Sequence, residues 1–240
     1  MNKYVTDALT YAGQGSELWE KMRLGKFTAS GIGALMTEPR SKADKDAGKL
    51  SQTAYKYVIE KAIEAITGQS HDESYGRAID WGNEWESHSL DELNKALLAA
   101  GHVFTMEKKP AFKLFNEYSG ASADALLTLD DGSVIGVEIK NPFNPVNHYI
   151  HATVSSWQEL ADVNSDYYYQ ILFNMVCYGC TSWYFASYDG RQIEHRRLHY
   201  VHLVADDAIL SEMAVLCDKV QKAEAHKQQI VTDWVVRTNK

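Results

Sequence analysis

Two carboxylates and a lysine near the middle of the chain carry the chemistry that is easiest to name. In the stretch SADALLTLDDGSVIGVEIKNP (122–142), Asp124 opens one β-run, and Glu138 and Lys140 stand two apart near the end of the next. Side chains alternate across a strand, so Glu138 and Lys140 share a face. A hairpin turning at Asp130-Asp131-Gly132 brings Asp124 alongside them. Two carboxylates held at one point repel each other unless a cation sits with them. Hard oxygen donors select Mg²⁺ or Mn²⁺ rather than zinc. A lysine beside such a site positions an attacking water or stabilises charge on a transferring phosphate. Val134, Ile135, Val137 and Ile139 mark the carrying strand as buried, where charges need partners. The bland alternative for a carboxylate–lysine pair on a strand is a surface ion pair. A second match to the same spacing, Glu107-Lys108-Lys109, reads as an exposed strand end before Pro110.

The elements that must hold these residues follow from periodicity and punctuation. A polar stretch at 38–51 (EPRSKADKDAGKLS) reads as a flexible surface loop. A helix over about 53–67 is closed by Gly68, and another over about 77–100 by Gly101, with an irregular opening around Gly82. Residues 102–106, 111–115, 121–129 and 133–140 read as strands. A helix follows at 165–178, with Ser165 as cap and Gly179 as stop, then strands at 182–188 and 196–204. An amphipathic helix over about 206–228 precedes a short tail. This order predicts an α/β fold, a central mixed β-sheet flanked by helices, over a single domain spanning 1–240.

Composition bounds the function classes. The 240 residues are 45% hydrophobic and 23% charged, with 15 Gly and 4 Pro, which excludes collagenous and low-complexity chains. No apolar run approaches the roughly 18 residues of a membrane span, so no membrane partner is expected. The N-terminal MNKYVTDALTYAGQ lacks a basic start followed by an apolar core. Three cysteines, an odd number, fit reduced thiols. A cytoplasmic location is therefore expected. Cys177-Tyr-Gly-Cys180 has zinc or redox spacing, but it lacks a second pair and reads as core cysteines. Net charge is −8, unevenly spread. Residues 21–61 carry nine Lys/Arg against four Asp/Glu, residues 62–100 two against eight, and residues 124–166 one against seven. That is a phosphate-binding face beside a cation-binding cleft, or else solvated helix faces.

Several separated blocks, taken together, resemble a known family. They are LWEKMRLGKFTAS (18–30), WGNEWE (81–86), SADALL (122–127), VEIKNPF (137–143), YYYQILFNM (167–175), SWYFASYD (182–189) and LHYVHL (198–203). In order and spacing they are similar to the phage λ-type exonucleases, the YqaJ-like viral recombinase nucleases of the PD-(D/E)xK superfamily. The resemblance implies a restriction-endonuclease-like core over about 15–205 and a Mg²⁺-dependent 5′→3′ exonuclease on linear double-stranded DNA, leaving 3′ single-stranded overhangs. It assigns Asp124, Glu138 and the Ile139 backbone carbonyl to metal, with Glu86 as a further acidic residue. It makes Lys140 the catalytic lysine and Gln170 the helical glutamine beside the site. Arg23, Ser30 and Ser122 become a pocket for the 5′-phosphate. Two-metal hydrolysis is implied, with Mn²⁺ able to replace Mg²⁺. A homotrimeric ring and a single-strand annealing recombinase as partner are implied as well. One position departs from the pattern: the family's proline before the aspartate is Ala123.

Rival readings are a structure-specific endonuclease of the same superfamily and a non-catalytic DNA-end-binding module. His148-Tyr-Ile-His151 has ligand-like spacing but no cysteine or carboxylate cluster nearby, and reads as loop or DNA-proximal histidines. His199 and His202 fall on opposite faces of a strand. Tyr167, Tyr168 and Tyr169 read as packing rather than base stacking, and Arg196 and Arg197 as a solvated strand start or a backbone-phosphate contact.

Overall fold

The computed structural model describes residues 13–70 and 76–238; the first twelve residues of the N-terminal stretch read above lie outside the described residues. A five-stranded mixed sheet organises the chain, in the order β2 (Phe104–Lys108), β5 (Ala125–Leu129), β6 (Val134–Lys140), β7 (Ser182–Tyr188), β8 (Leu198–Val204). All neighbours pair antiparallel except β6 and β7, which run parallel. Smaller strands β1 (Phe27–Thr28), β3 (Lys113–Leu114) and β4 (Ser119–Ala121) form a second sheet in the order β1-β4-β3.

The helices α1 (Glu17–Arg23), α2 (Gly33–Met36), α3 (Lys42–Asp46), α4 (Gln52–Thr67), α5 (Arg77–Ala99), α6 (Pro145–His151), α7 (Trp157–Val163), α8 (Ser165–Tyr178) and α9 (Asp207–Thr238) cover the sheets. One face of the large sheet packs Leu127, Val137, Ile139, Tyr184 and Ala186 against Leu90, Leu93 and Leu97 of α5. The other face joins Trp183 and Phe185 to Ile171, Leu172 and Phe173 of α8 and to Leu216 and Val220 of α9. Among the described residues no helix is long and apolar enough to cross a membrane.

Local chemistry explains most boundaries. Helix α4 starts where the Ser51 hydroxyl accepts from Ala54 N–H and stops at Gly68, whose φ of 66° is the left-handed conformation glycine adopts cheaply. Helix α5 runs through Gly82 without interruption, contrary to the irregular opening expected there. The polar loop 38–51 contains the short α3, capped by Ser41. Asn164 rather than Ser165 caps α8, accepting from the N–H groups of Asp166 and Tyr167. The β8 strand begins two residues late because Glu194–Arg196 close a 3-10 turn.

The C-terminal helix is longer than expected, 32 residues, because its apolar face continues to Ile230. Its buried Lys227 donates to Gly25 O at 2.6 Å, across 202 residues of sequence.

One expected strand is two. The run 121–129 splits into β4 and β5, which belong to different sheets. At the break, side chains satisfy the backbone: Ala123 N–H donates to the Tyr178 hydroxyl at 3.2 Å, and Ala123 O accepts from Gln14 Nε2. Strand 111–115 is reduced to Lys113–Leu114, because Phe115 N–H and Asn116 N–H both turn back onto Ser119 O.

Where β6 passes β7, Gly136 lies beside the fully buried Trp183, and a methyl there would sit 2.0 Å from the indole ring. Gly136→Ala is expected to lower stability by about 2–3 kcal/mol or more, because a packed strand pair has no room to shift. Urea unfolding monitored by far-UV circular dichroism tests this; an unchanged midpoint would mean that Trp183 has a second comfortable rotamer.

Candidate active site

The β5–β6 hairpin is pinned by its turn. Gly132 takes φ 82°, Leu129 N–H donates to Ser133 O, and the Asp131 carboxylate accepts from Ser133 N–H and Oγ. The resulting register sets Ala125 opposite Val137, so Asp124 meets the far end of β6. Its N–H donates to Val137 O at 3.1 Å, and its Oδ2 accepts from Ile139 N–H at 2.7 Å. Alternation along β6 turns Val137 and Ile139 toward α5 and Glu138 and Lys140 toward α8, as the spacing predicted.

Glu138 is 1% exposed and fully engaged. Its Oε1 accepts from Lys140 Nζ at 2.5 Å and Gln170 Nε2 at 2.7 Å, and its Oε2 accepts from Asn174 Nδ2 at 3.3 Å. Gln170 Oε1 in turn accepts from Lys140 Nζ at 3.2 Å. Lysine, carboxylate and amide form a closed triangle. Burial, then the like charges of Glu138 and Glu86, push the Asp124 carboxyl well above the usual carboxylate range, against the pull of Lys140. Burial opposes charge on Lys140 too, but Glu138 and Asp124 outweigh it and hold the ammonium above its ordinary pKa. The Tyr167 ring adds to this, with Nζ 4.3 Å from its centroid.

Glu86 comes from α5. Its Oε1 is buried and accepts no hydrogen bond, and its nearest cation is Lys109 Nζ at 3.3 Å. Among the described residues, no three His, Cys, Asp or Glu side chains converge into a ready-made cage for an ion. The available donors are nevertheless all oxygens. A carboxyl destabilised by neighbouring carboxylates and a buried carboxylate oxygen with no hydrogen bond both suit a hard divalent cation.

Beside the hairpin opens a cavity of about 880 Å³, lined among others by Arg23, Ser30, Glu86 and Lys109. A smaller one of about 130 Å³ shares Arg23 and Ser30 and adds Ser122, Asp124 and Gln170. Thus the residues expected to serve metal, catalysis and phosphate all line one connected region or touch those that do. The last turn of α1 and the 3-10 segment Ala29–Gly31 bring in Arg23 and Ser30, and the break between β4 and β5 brings in Ser122.

Three neighbours of these residues were not assigned to the site. Trp19, one helical turn before Arg23, lies under its guanidinium at 4.0 Å and donates from Nε1 to Ser122 Oγ at 3.0 Å. Their i, i+4 spacing was the available signal. Tyr167, read as packing, touches Lys140. Lys109, read as an exposed strand end, is turned into the cavity.

Other motifs fall away from the site. His148 and His151 sit on α6, buried, and both ring Nδ1 atoms lie within 3.2 Å of Ser187 Oγ; they are core residues, not loop or DNA-proximal ones. Their i, i+3 spacing puts both on the inner face of a short helix. Cys177 and Cys180 are buried free thiols. Tyr168 is buried with its hydroxyl on Glu212, and Arg196 and Arg197 are exposed.

The profile of the YqaJ-like viral recombinase domain matches residues 18–181. Among solved structures, an alkaline exonuclease (LHK-Exo) from Laribacter hongkongensis superposes with a TM-score of 0.69 at 22% identity, over 93% of this chain and 98% of that one. A phage-related exonuclease from Haemophilus somnus 129PT gives 0.65 at 20% identity, over 87% and 96%. At these identities the likeness is one of fold, the restriction-endonuclease-like arrangement expected from the sequence. No curated protein matches the chain.

His151 gives a pH test of the packing behind Lys140. Burial, then the Lys140 charge, depress it to about 4, and it packs edge-on against Tyr167. The unfolded chain takes up this proton near 6.5, so stability is complete above that pH and falls as pH drops toward 4, by at most about 3 kcal/mol. Comparing unfolding free energies of the wild type and His151→Gln across pH 4–7, the difference should shrink toward low pH; parallel curves would mean the histidine titrates normally.

Proposed function

The chain belongs to the YqaJ-like viral recombinase family, and from that premise we propose that it is a Mg²⁺-dependent 5′→3′ exonuclease of linear double-stranded DNA. It leaves 3′ single-stranded overhangs for annealing by a single-strand annealing recombinase. The observation that carries the reading is the closed Lys140–Glu138–Gln170 triangle with Asp124 against it, at the mouth of a cavity that also presents Arg23 and Ser30. In the same reading, residues 1–240 form one nuclease domain, working in the cytoplasm of a bacterial host as a homotrimeric ring around DNA.

Asp124, Glu138, the Ile139 carbonyl and Glu86 would hold the divalent ions, Mg²⁺ or Mn²⁺, two to a site. When bound, such ions supply Lewis acidity and neutralise charge on the scissile phosphate. The chain's own residues do the rest. Arg23 offers a planar fork to the terminal 5′-phosphate, and the hydroxyls of Ser30 and Ser122 complete its shell without excess charge. Trp19 stiffens both partners, through its ring to Arg23 and its N–H to Ser122. Anchoring the terminal phosphate fixes the next phosphodiester over the carboxylates, which gives an end-specific enzyme its register. Lys140, charged and held by Glu138, Gln170 and Tyr167, orients the attacking water and faces the charge that develops on the phosphate. Ala123 costs the break little, since Tyr178 and Gln14 already hold its backbone.

A linear duplex with a 5′-phosphate on one end and a 5′-hydroxyl on the other tests the reading. With Mg²⁺, the phosphorylated strand should disappear first while a covalently closed circle stays intact. Cutting of the circle would point to an endonuclease, and no nucleotide release to a binding module. Asp124→Ala and Lys140→Ala should each lower the rate by about a hundredfold or more. Arg23→Lys should chiefly raise KM on phosphorylated ends, because a point charge cannot replace the guanidinium fork.

A further inference from the structure

Lys109 is the residue whose placement the reaction, as described, leaves unexplained. It follows β2 directly and is the one non-glycine residue with positive φ (50°) among the described residues. Its N–H donates to Asp124 O at 2.8 Å, so its backbone is tied to the candidate metal-binding strand end. Its neighbour Lys108 binds Asp91 at 2.6 Å and Ser87 O at 3.3 Å on the outer side of α5. The left-handed turn at Lys109 instead sends its side chain into the large cavity, where Nζ stands 3.3 Å from Glu86 Oε1. A left-handed backbone carries a real steric cost for a residue with a side chain. The bend has a structural result: it puts a cation on the third carboxylate.

Two details fix what kind of contact this is. Glu86 Oε1 is buried yet receives no aligned hydrogen bond, so the pair is held by charge alone. The Lys109 side chain is 40% exposed and faces open cavity, so it has somewhere to go. By contrast Lys140 is locked by two hydrogen bonds and a ring. The site thus has three carboxylates and two ammonium groups, one ammonium fixed and one loosely held.

We propose that Lys109 is a displaceable cation that occupies Glu86 until a second divalent ion takes its place, so that the two ions bind with unequal strength. The proposal rests on the reading of Asp124, Glu138 and Glu86 as a cation site. Ion binding at Asp124 and Glu138 does not compete with Lys109; ion binding that uses Glu86 does. Once displaced, the ammonium remains in the cavity shared with Arg23 and Ser30, where a DNA phosphate is its alternative counter-charge.

Mn²⁺ binding to the intact protein, followed by loss of the free-ion electron paramagnetic resonance signal, tests this without turnover. The wild type should show one stronger and one weaker step. Lys109→Met, which keeps the stem and removes the charge, should tighten the weaker step by about five-fold, the order expected for one half-exposed ion pair, and leave the stronger step unchanged. Lys109→Arg, which keeps the charge, should follow the wild type. Glu86→Gln should remove the weaker step alone. A Lys109→Met isotherm that superimposes on the wild type would overturn the proposal while leaving the cation site standing. An Asp124→Ala protein that binds Mn²⁺ as the wild type does would instead overturn the cation site itself. Thermal unfolding without metal checks that each variant is folded.

Discussion

Asp124 and Glu138 cannot share the end of a hairpin cheaply, and much of the surrounding structure answers that difficulty. Glu138 is buried, Asp124 is half-buried at the cavity wall, and the nearby Glu138 charge, added to desolvation, shows in the raised Asp124 carboxyl. Lys140, Gln170 and Asn174 are placed so that both oxygens of Glu138 are met, and the Ile139 N–H meets Oδ2 of Asp124. Helix α8 therefore does two jobs with one sequence. Ile171, Leu172 and Phe173 fill the core, while Gln170 and Asn174, four apart, stand over the hairpin. The parallel pairing of β6 with β7 lets that helix lie across the carboxylates, since a parallel connection needs a helical crossover.

Much of this was legible because it depends on short-range rules. Alternation in VIGVEIK placed Glu138 with Lys140, the Asp-Asp-Gly turn placed Asp124, and β6, β7 and α8 stand where periodicity put them. What was hidden depends on tertiary partners. The break at 122–124 exists because a tyrosine and a glutamine, 55 and 109 residues away, take over the backbone bonds of Ala123. Lys109 looked like a strand end because nothing local reveals a left-handed lysine. His148 and His151 looked like surface histidines because their partner, Ser187, belongs to a strand nearly forty residues further on. Ala123 itself shows the principle from the other side: where partners hold the backbone from outside, the stiffness of a proline is dispensable.

The charge pattern also acquires a local meaning. The chain as a whole is acidic at −8, yet several lysines of the basic segment are already spoken for, Lys21 by Glu17, Lys49 by Asp44 and Lys61 by Glu64. The first two pairs are exposed, contribute little to stability and are screened by salt, whereas Lys61 is largely buried against the buried Glu64 in the cavity wall. Positive charge of a different quality lies inside the cavity, where Arg23 is braced by Trp19. Counting residues along a segment could not separate these two populations; packing does.

The contact between Lys227 and Gly25 reaches beyond equilibrium. Gly25 follows Arg23 by two residues, and the ammonium that holds its carbonyl is also seated against the rings of Phe27 and Tyr118. Translation proceeds from the N-terminus, so Arg23 and Gly25 emerge first, and the brace arrives only 202 residues after Gly25. Until then the cavity wall at Arg23 lacks that support. Order of synthesis thus separates the two halves of this contact, and the helix that carries Lys227 closes it last.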